Sequence, residues 1–395
     1  SRPWWDGPLR GPVHRSGGME TITWDLACGL SRGGHGVHIL TTAHPKGRDF
    51  EKFENISVHY LSGTKPSQYT PFFFPLLNKA IRRLHEEEDF DILHSQGFAG
   101  LTFKPPANLP MIISPHGTLF SETPLYRKQF GKYSFVEKAR MVWRHRWRLA
   151  MYPFYQRYLK RASLILADSR FSYDELRRDR SDIGDKLRFL PLGVDVARIP
   201  QPERFLARQR LGLPPEKIIL FTLSRLEEMK GVDVALQAAA AAREKDFEYI
   251  IGGEGRWRGR LEKMAQTLGL KQVFFPGRIP GDKIHDYLAA ADLFIYPELG
   301  QPAFGLVSIE SLAHGTPVLA SAAGATPEIV KPEVGWLFKR GDTTHLAEQL
   351  RSILPHLPEW RKRADYLRRY VEQNFPLERY LEQTIQTYRE AAASR

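Results

Sequence analysis

The sequence predicts an α/β protein built from two parallel-sheet domains. Three observations carry this. Short apolar runs rich in β-branched residues alternate with helical patterns along the chain. These runs fall into two series divided by a proline-rich stretch, and glycine turns follow several of them where a helix would begin. Strands alternating with helices give parallel sheets covered on both faces, and such sheets bind ligands at the carboxyl ends of strands where strand order reverses.

The first series is Val37–Thr42, Ile56–Leu61, Asp91–His94, Met111–Ser114, Ser163–Ala167 and Leu187–Leu190. The second is Ile218–Leu223, Glu248–Ile251, Gln272–Phe275, Asp292–Tyr296 and Pro317–Ser321, with helices expected over Gly231–Lys245 and Thr344–Leu354. Between the series, the prolines of Val194–Pro202 favour an extended linker. The expected division is therefore a first domain over 1–195, a second over 196–375 and a terminal segment, 376–395, whose residues Leu377–Ala393 form one amphipathic helix. In the first series, a strand should precede the Gly17-Gly18 loop. The sixteen residues before that loop are rich in Pro, Gly and Trp, so the strand lies upstream of this sequence or has been lost.

Composition narrows the class. The 395 residues are 42% apolar, enough to bury real cores and to exclude a disordered chain. Cys28 is the single cysteine, which excludes an intrachain disulfide and a cysteine-rich zinc site. No run approaches ~18 apolar residues, and the N-terminus has no signal-like apolar core. The expected location is cytoplasmic, with peripheral docking at the inner face of the membrane as a further expectation. The formal charge of +12 suits nucleic acid, anionic lipid or an acidic small molecule, or is simply a solvated basic surface.

The most informative stretch is Phe304–Ser321: a glycine turn, a short helix, Gly315 as its stop, and a strand opened by Pro317. Backbone N–H groups around Phe304, Gly305 and Leu306 would lie at a helix N-terminus, where a diphosphate or a hydroxyl-rich ligand is favoured. Glu310 falls one turn in, able to accept both hydroxyls of a ribose or merely to favour the helix dipole. Arg225 and Lys230 follow the first strand of the second series: a planar fork and a mobile point charge for phosphate oxygens, or solvated loop charges. Gly253, after the next strand, lets a ligand approach the backbone. In the first series, Gly17 and Gly18 open a helix and would offer N–H donors. His116 ends a strand, either to meet a sugar hydroxyl or a reacting centre, or as a buried structural histidine.

The ordered set of Gly17-Gly18-Met-Glu20, Leu30–Val37, Asp91–His94, Pro115-His-Gly117, Leu192–Asp195, Ser224-Arg-Leu226 with Lys230-Gly231, and Phe304–Val318 resembles the retaining nucleotide-sugar glycosyltransferases of family 4, over almost the whole chain. The resemblance implies the GT-B fold, two Rossmann-like domains facing a cleft. Arg225 and Lys230 would hold the donor diphosphate, Glu310 the ribose and the amides of Phe304–Leu306 the sugar. His116 would face the sugar from the acceptor-binding first domain, Gly17 and Gly18 would close over the phosphates, and the terminal helix would cross back to the first domain. No cofactor and no metal are expected, because Arg225 and Lys230 would neutralise the departing phosphate. The pattern departs at one place. The family carries two glutamates eight positions apart; Glu310 is the second, and the first position is Pro302. The segment Pro297–Gly305 reads one residue longer than usual, so Gln301 or Glu298 fills the place, or the acid has been lost.

Residues 119–161 hold eleven Lys or Arg, mixed with aromatics that include Trp143, Trp147, Tyr152, Phe154 and Tyr155, and Phe72–Leu77 adds a second apolar candidate. This mixture suits an anionic membrane surface, or a helix with an aromatic core stripe and a solvated basic face. Nucleic acid is not an expected partner, since its usual motifs are absent. The expected function is transfer of a hexose, with retention and without metal, from a UDP- or GDP-sugar to a lipid-linked or glycan acceptor. The alternatives are a non-catalytic nucleotide-sugar binder, motivated by Pro302, and a basic lipid- or nucleic-acid-binding protein.

Overall fold

A computed structural model describes residues 17–66, 68–70, 72–117, 135–242 and 246–393. They divide into two compact units, one formed by 17–117, 135–194 and 377–393, the other by 195–376.

Unit one opens with helix α1 (Gly18–Arg32) and strand β1 (Val37–Thr42), followed by β2 (Phe50–Phe53), β3 (Ile56–Leu61) and helix α2 (Phe73–Glu88). Strands β1 and β3 pair in parallel, and β2 pairs antiparallel with β3. The β2–β3 turn places Glu54 at φ 49°, in the left-handed region. A second sheet, of four parallel strands, has the order β4 (Leu93–Gln96), β5 (Met111–Ser114), β6 (Leu164–Ala167), β7 (Leu187–Phe189). Strand β4 begins two residues later than Asp91, where Leu93 N–H donates to Pro110 C=O and starts the ladder. Helix α3 (Phe135–Arg161) lies between β5 and β6, and α4 (Arg170–Asp179) between β6 and β7. The core of this unit joins Ile113 and Ile165 of the sheet to Phe73 and Ile81 of α2 and Tyr155 and Tyr158 of α3.

Unit two begins at Asp195, whose side chain caps a 3-10 turn over Val196–Arg198 by accepting from Arg198 N–H. The linker is thus turned, where an extended chain was expected. Helix α5 (Arg204–Leu211) follows, and then the alternation β8 (Ile218–Leu223), α6 (Val232–Ala241), β9 (Phe247–Gly252), α7 (Arg258–Thr267), β10 (Val273–Gly277), α8 (Gly281–Ala290), β11 (Leu293–Tyr296), α9 (Leu306–Ala313), β12 (Val318–Ser321), α10 (Thr326–Ile329), β13 (Gly335–Phe338) and α11 (Thr343–Ile353). The six strands form one parallel sheet of order β10-β9-β8-β11-β12-β13. Its order reverses between β8 and β11, which puts the ligand-binding crevice of such a sheet at their carboxyl ends. Helices α12 (Leu357–Arg361) and α13 (Ala364–Asn374) complete the unit. The last helix, α14 (Leu377–Ala393), belongs to unit one and touches α1 and β5. No helix among the described residues is long and apolar enough to cross a membrane.

Candidate functional site

At the carboxyl ends of β8, β9 and β11, glycines let three loops press together. A Cβ on Gly253 would stand 1.8 Å from Ser224 C=O, and one on Gly231 1.9 Å from Pro297 C=O. Both residues have positive φ, so a side chain there is excluded by conformation as well as by space. The β11 loop is tied down by Leu299 N–H and Gly300 N–H, which donate to Met229 C=O at 2.7 and 3.2 Å.

This contact brings Lys230 to Glu298. Lys230 Nζ donates to Glu298 Oε2 at 2.6 Å, Tyr296 hydroxyl donates to the same oxygen at 3.3 Å, and Gly300 N–H donates to Oε1 at 3.1 Å. The Glu298 side chain is 3% exposed and that of Lys230 24%. Burial, followed by the nearby Glu298 carboxylate, holds the Tyr296 phenol well above its usual range and keeps it a donor. The ammonium expected as a free phosphate ligand is therefore already anchored on one side by a carboxylate. Arg225, five residues earlier, is exposed.

Gln301 and Pro302 lie partly exposed beyond Glu298. The Pro302 carbonyl accepts from Ala325 N–H at 2.9 Å, so this backbone is braced against the loop after β12. Gly305, at φ 107°, is the N-cap of α9, and no side chain caps that end. Phe304 is buried and meets Phe375 edge-on at 5.8 Å. Glu310 stands one turn into α9. Ser308, in the first turn of α9, has a buried hydroxyl without a hydrogen-bond partner. Arg225, Lys230, Gly253, Glu298, Gln301, Phe304, Gly305, Leu306 and Glu310 thus all belong to the carboxyl side of one sheet.

His116 and the Gly17-Gly18 pair belong to unit one. His116 follows β5 at φ 52°, a conformation rare for any residue but glycine and a recurrent mark of functional positions. Its Nδ1 meets Asp168 Oδ2 at 2.7 Å, and its Nε2 meets Gln96 Oε1 at 2.6 Å. Gln96 ends β4 and Asp168 follows β6, so three neighbouring carboxyl ends converge on one ring. Gly17 caps α1 with extended backbone, and Glu20 folds back so that its carboxylate lies where a Gly17 side chain would begin.

Sequence reasoning missed Asp168, Gln96 and the Lys230–Glu298 contact. Each partner lies 20 to 68 residues away along the chain. The shared signal was position, since each residue ends or follows a strand that the pattern had found.

The basic segment is partly outside the described residues: 118–134 are not described, nor are the side chains of 135–141, 144 and 145. In the described part, Trp143, Trp147 and Phe154 are 65%, 52% and 53% exposed, at a spacing that puts them on one side of α3. Arg146 and Arg157 beside them are also exposed. Arg148 and Tyr155 are buried and leave the surface candidate. The Phe72–Leu77 candidate also shrinks, because Phe72 is exposed while Phe73 and Leu77 enter the core.

A model of "Glycosyltransferase Family 4" matches residues 16–198, and one of "Glycosyl transferases group 1" matches 203–371. An uncharacterized glycosyltransferase of Methanocaldococcus jannaschii is 26% identical over 83% of this chain and 83% of its own length. A GDP-mannose-dependent monoacylated alpha-(1-6)-phosphatidylinositol monomannoside mannosyltransferase of Corynebacterium glutamicum is 33% identical over 45% of this chain, which covers half of that relative's length. Among solved structures, a sucrose-phosphate synthase from Thermosynechococcus elongatus superposes with a TM-score of 0.81 at 24% identity, over 96% of this chain and 94% of that one. That likeness shows a shared GT-B fold, and with both halves of the sequence matched by the family's models the chain belongs to glycosyltransferase family 4, so its chemistry is glycosyl transfer.

Proposed function

We propose that the chain is a retaining, metal-independent hexosyltransferase that takes a UDP- or GDP-linked sugar as donor and a lipid-linked or glycan molecule as acceptor. The observation that carries this reading is one edge of one sheet. It holds the exposed Arg225, the anchored Lys230 and the uncapped N-terminus of α9, with Glu310 one turn in. As the anomeric bond breaks, negative charge gathers on the departing diphosphate. A guanidinium, an ammonium and the positive end of a helix suit that charge, and act without reorganising. Glu298 fixes the Lys230 ammonium, so the cation is positioned before the donor arrives. Gln301 offers an amide to the sugar, and Glu310 two acceptor oxygens to the ribose. His116, with Nδ1 on Asp168 and Nε2 on Gln96, would exchange the Gln96 contact for a sugar hydroxyl when the donor binds. Attack on the face the diphosphate leaves would keep the donor's anomeric configuration.

The Corynebacterium relative's dependence on GDP-mannose and its phosphatidylinositol-linked acceptor support both donor class and acceptor class. The exposed Trp143, Trp147 and Phe154, with Arg146 and Arg157, support docking to an anionic membrane surface. Sedimentation with anionic vesicles should then fall as salt rises. Indifference to lipid charge and to salt removes the docking.

The test is a transfer assay with UDP-, GDP- and ADP-sugars, with and without a chelator, together with the melting shift for each donor. A donor at about 100 times its dissociation constant should add roughly 2.7 kcal/mol of stability. Transfer that resists the chelator and keeps the donor's anomeric configuration supports the proposal. Inverted product or a chelator-sensitive rate overturns it. A second reading, a nucleotide-sugar binder without transfer, is favoured by one observation: Pro302 has no acid, and Glu298 is committed to Lys230. Saturable donor binding with neither transfer nor donor hydrolysis selects that reading.

A further inference from the structure

The His116 ring is held from both sides, and its two partners differ in kind. Asp168 Oδ2 stands 2.7 Å from Nδ1, and Gln96 Oε1 stands 2.6 Å from Nε2. A carboxylate only accepts, so Nδ1 carries a hydrogen whether the ring is neutral or charged. A glutamine amide has an oxygen that accepts and an NH2 that donates, and by turning it serves Nε2 in either state. Nδ1 is therefore fixed, and Nε2 is the nitrogen whose partner and proton can change.

Asp168 has no local structural task that explains it. It follows β6 and comes just before α4, yet it does not cap that helix. Ser169 is the N-cap, and its side chain accepts from Ser172 N–H at 3.0 Å. The Asp168 side chain is 3% exposed, and among the described residues its ion-pair partner is His116 rather than a lysine or an arginine. A carboxylate buried this deeply costs stability unless it is well paired, which a single imidazole does poorly. The ionisable groups beside the pair stay uncharged. Burial, and then His116, take His94 of β4 down to about 3. Tyr380 of α14 lies near Asp168, and burial holds its phenol well above its usual range. His116 and Gly117 both have positive φ, 52° and 129°, so the chain turns sharply after β5 and the ring meets the ends of β4 and β6. A non-glycine residue keeps such a backbone only where its surroundings hold it.

From this geometry we infer that Asp168 is a positioning residue for glycosyl transfer: its carboxylate fixes the orientation and tautomer of His116, so that Nε2 is offered to a sugar hydroxyl as Gln96 gives way. The inference rests on the reading of His116 as a sugar-facing ring. A sugar hydroxyl, like the glutamine amide, both donates and accepts, so it suits the same nitrogen in either state. Without Asp168 the ring is free to rotate, and its hydrogen can pass to either nitrogen. Misplacing a group at a reacting centre by about 1 Å costs roughly 100-fold in rate.

The experiment sets Asp168→Ala, His116→Ala and the double variant beside the parent, and reads kcat, the donor KM and ring-nitrogen NMR of His116. Asp168→Ala should lower kcat by about 10- to 100-fold and leave the donor KM within about threefold, since this ring does not hold the diphosphate. In the His116→Ala background the same change should cost less than about threefold, because Asp168 acts through the ring. In the parent, Nδ1 should stay protonated from about pH 5 to about pH 9, whereas Asp168→Ala should let the hydrogen move to Nε2. Asp168→Asn keeps the shape and an acceptor oxygen; it guards against a folding defect in the alanine variant and should be the faster of the two. A parent-like kcat in Asp168→Ala beside a slow His116→Ala overturns the inference alone. So do losses that multiply in the double variant, or an Nδ1 that stays protonated without Asp168. An unchanged kcat in His116→Ala instead overturns the sugar-facing reading of the ring, and the inference with it.

Discussion

The two ends of the unit-two sheet each bury a carboxylate, and they solve its burial differently. At the amino end, Asp292 accepts from Arg208 at 2.7 Å, from Ile219 N–H at 2.7 Å, and from Arg204 and Arg361. Three guanidiniums from α5 and α12 and one strand amide saturate it, and Arg208 also donates to Ala290 and Pro214 carbonyls. Burial and the neighbouring Asp292 act in opposite directions on Arg204, and burial wins, taking it down to about 10. At the carboxyl end, Glu298 has one ammonium, one phenol and one amide, and Lys230 remains partly exposed. The amino end is closed to ligands because every charge already has its partners. The carboxyl end keeps a cation with an open side. Buried charge therefore marks a ligand site only where the pairing is incomplete.

The largest expected effect lies at the amino end. Asp292→Ala leaves Arg208, only 2% exposed, without its carboxylate. Breaking a buried pair from one side costs about 3–5 kcal/mol. Urea unfolding should show that loss, while donor affinity of the folded protein stays within twofold. A loss below about 1 kcal/mol would mean the amino end is not the anchor.

Arg225→Ala should invert that outcome. The side chain is exposed, so stability should move by less than about 0.5 kcal/mol. Transfer should fall by about 100- to 1,000-fold, the usual cost of removing one donor to developing charge. Arg225→Lys should recover part of it, since a point charge cannot reproduce a planar fork. An unchanged kcat in Arg225→Ala would detach this residue from the reaction.

The Lys230–Glu298 pair separates anchoring from catalysis. Lys230→Met leaves a buried carboxylate without its cation, held only by the Tyr296 hydroxyl and Gly300 N–H, and should cost both stability and transfer. Adding Glu298→Gln should restore most of the stability, because a neutral amide no longer needs the ammonium, and none of the transfer. The coupling energy read from the cycle should fall within about 0.5–3 kcal/mol. Transfer restored along with stability would make Lys230 a structural residue only.

Much of this was legible in the sequence, and the reasons differ by element. Runs such as Ile218–Leu223 and Met111–Ser114 are central, apolar and covered on both faces, so their pattern is local. β2 was missed because Phe-Glu-Lys-Phe alternates charge with apolar residues on an exposed edge. β13 was missed because it is a short edge strand opened by Gly335, where a Cβ would lie 2.1 Å from Val318 C=O. The glycines and basic residues of the donor side were legible because chemistry fixes their place at strand ends. Their partners were not, since which carboxylate reaches Lys230, or which acid reaches His116, is decided by sheet order.

His94 gives a third solution to burial, and the smallest expected effect. It lines a cavity of about 590 Å³ that β1 and β4 of unit one border, with Nδ1 on Tyr388 hydroxyl at 2.7 Å and Nε2 on Ser114 hydroxyl at 2.8 Å. Burial, and then the nearby His116, pull it down to about 3 from 6.5. Where Asp292 is held by three guanidiniums, His94 stays neutral. The unfolded chain takes up a proton at this site below pH 6.5, and the folded chain does not until about pH 3. Stability is therefore fully present above 6.5 and falls with acid by about 1.4 kcal/mol per pH unit, or about 2 kcal/mol by pH 5. His94→Asn should flatten that part of the curve in urea unfolding, while leaving the Asp292→Ala loss unchanged at every pH tested. A variant with the same acid slope as the parent would show that water reaches the ring through the cavity and that the charged form is tolerated there.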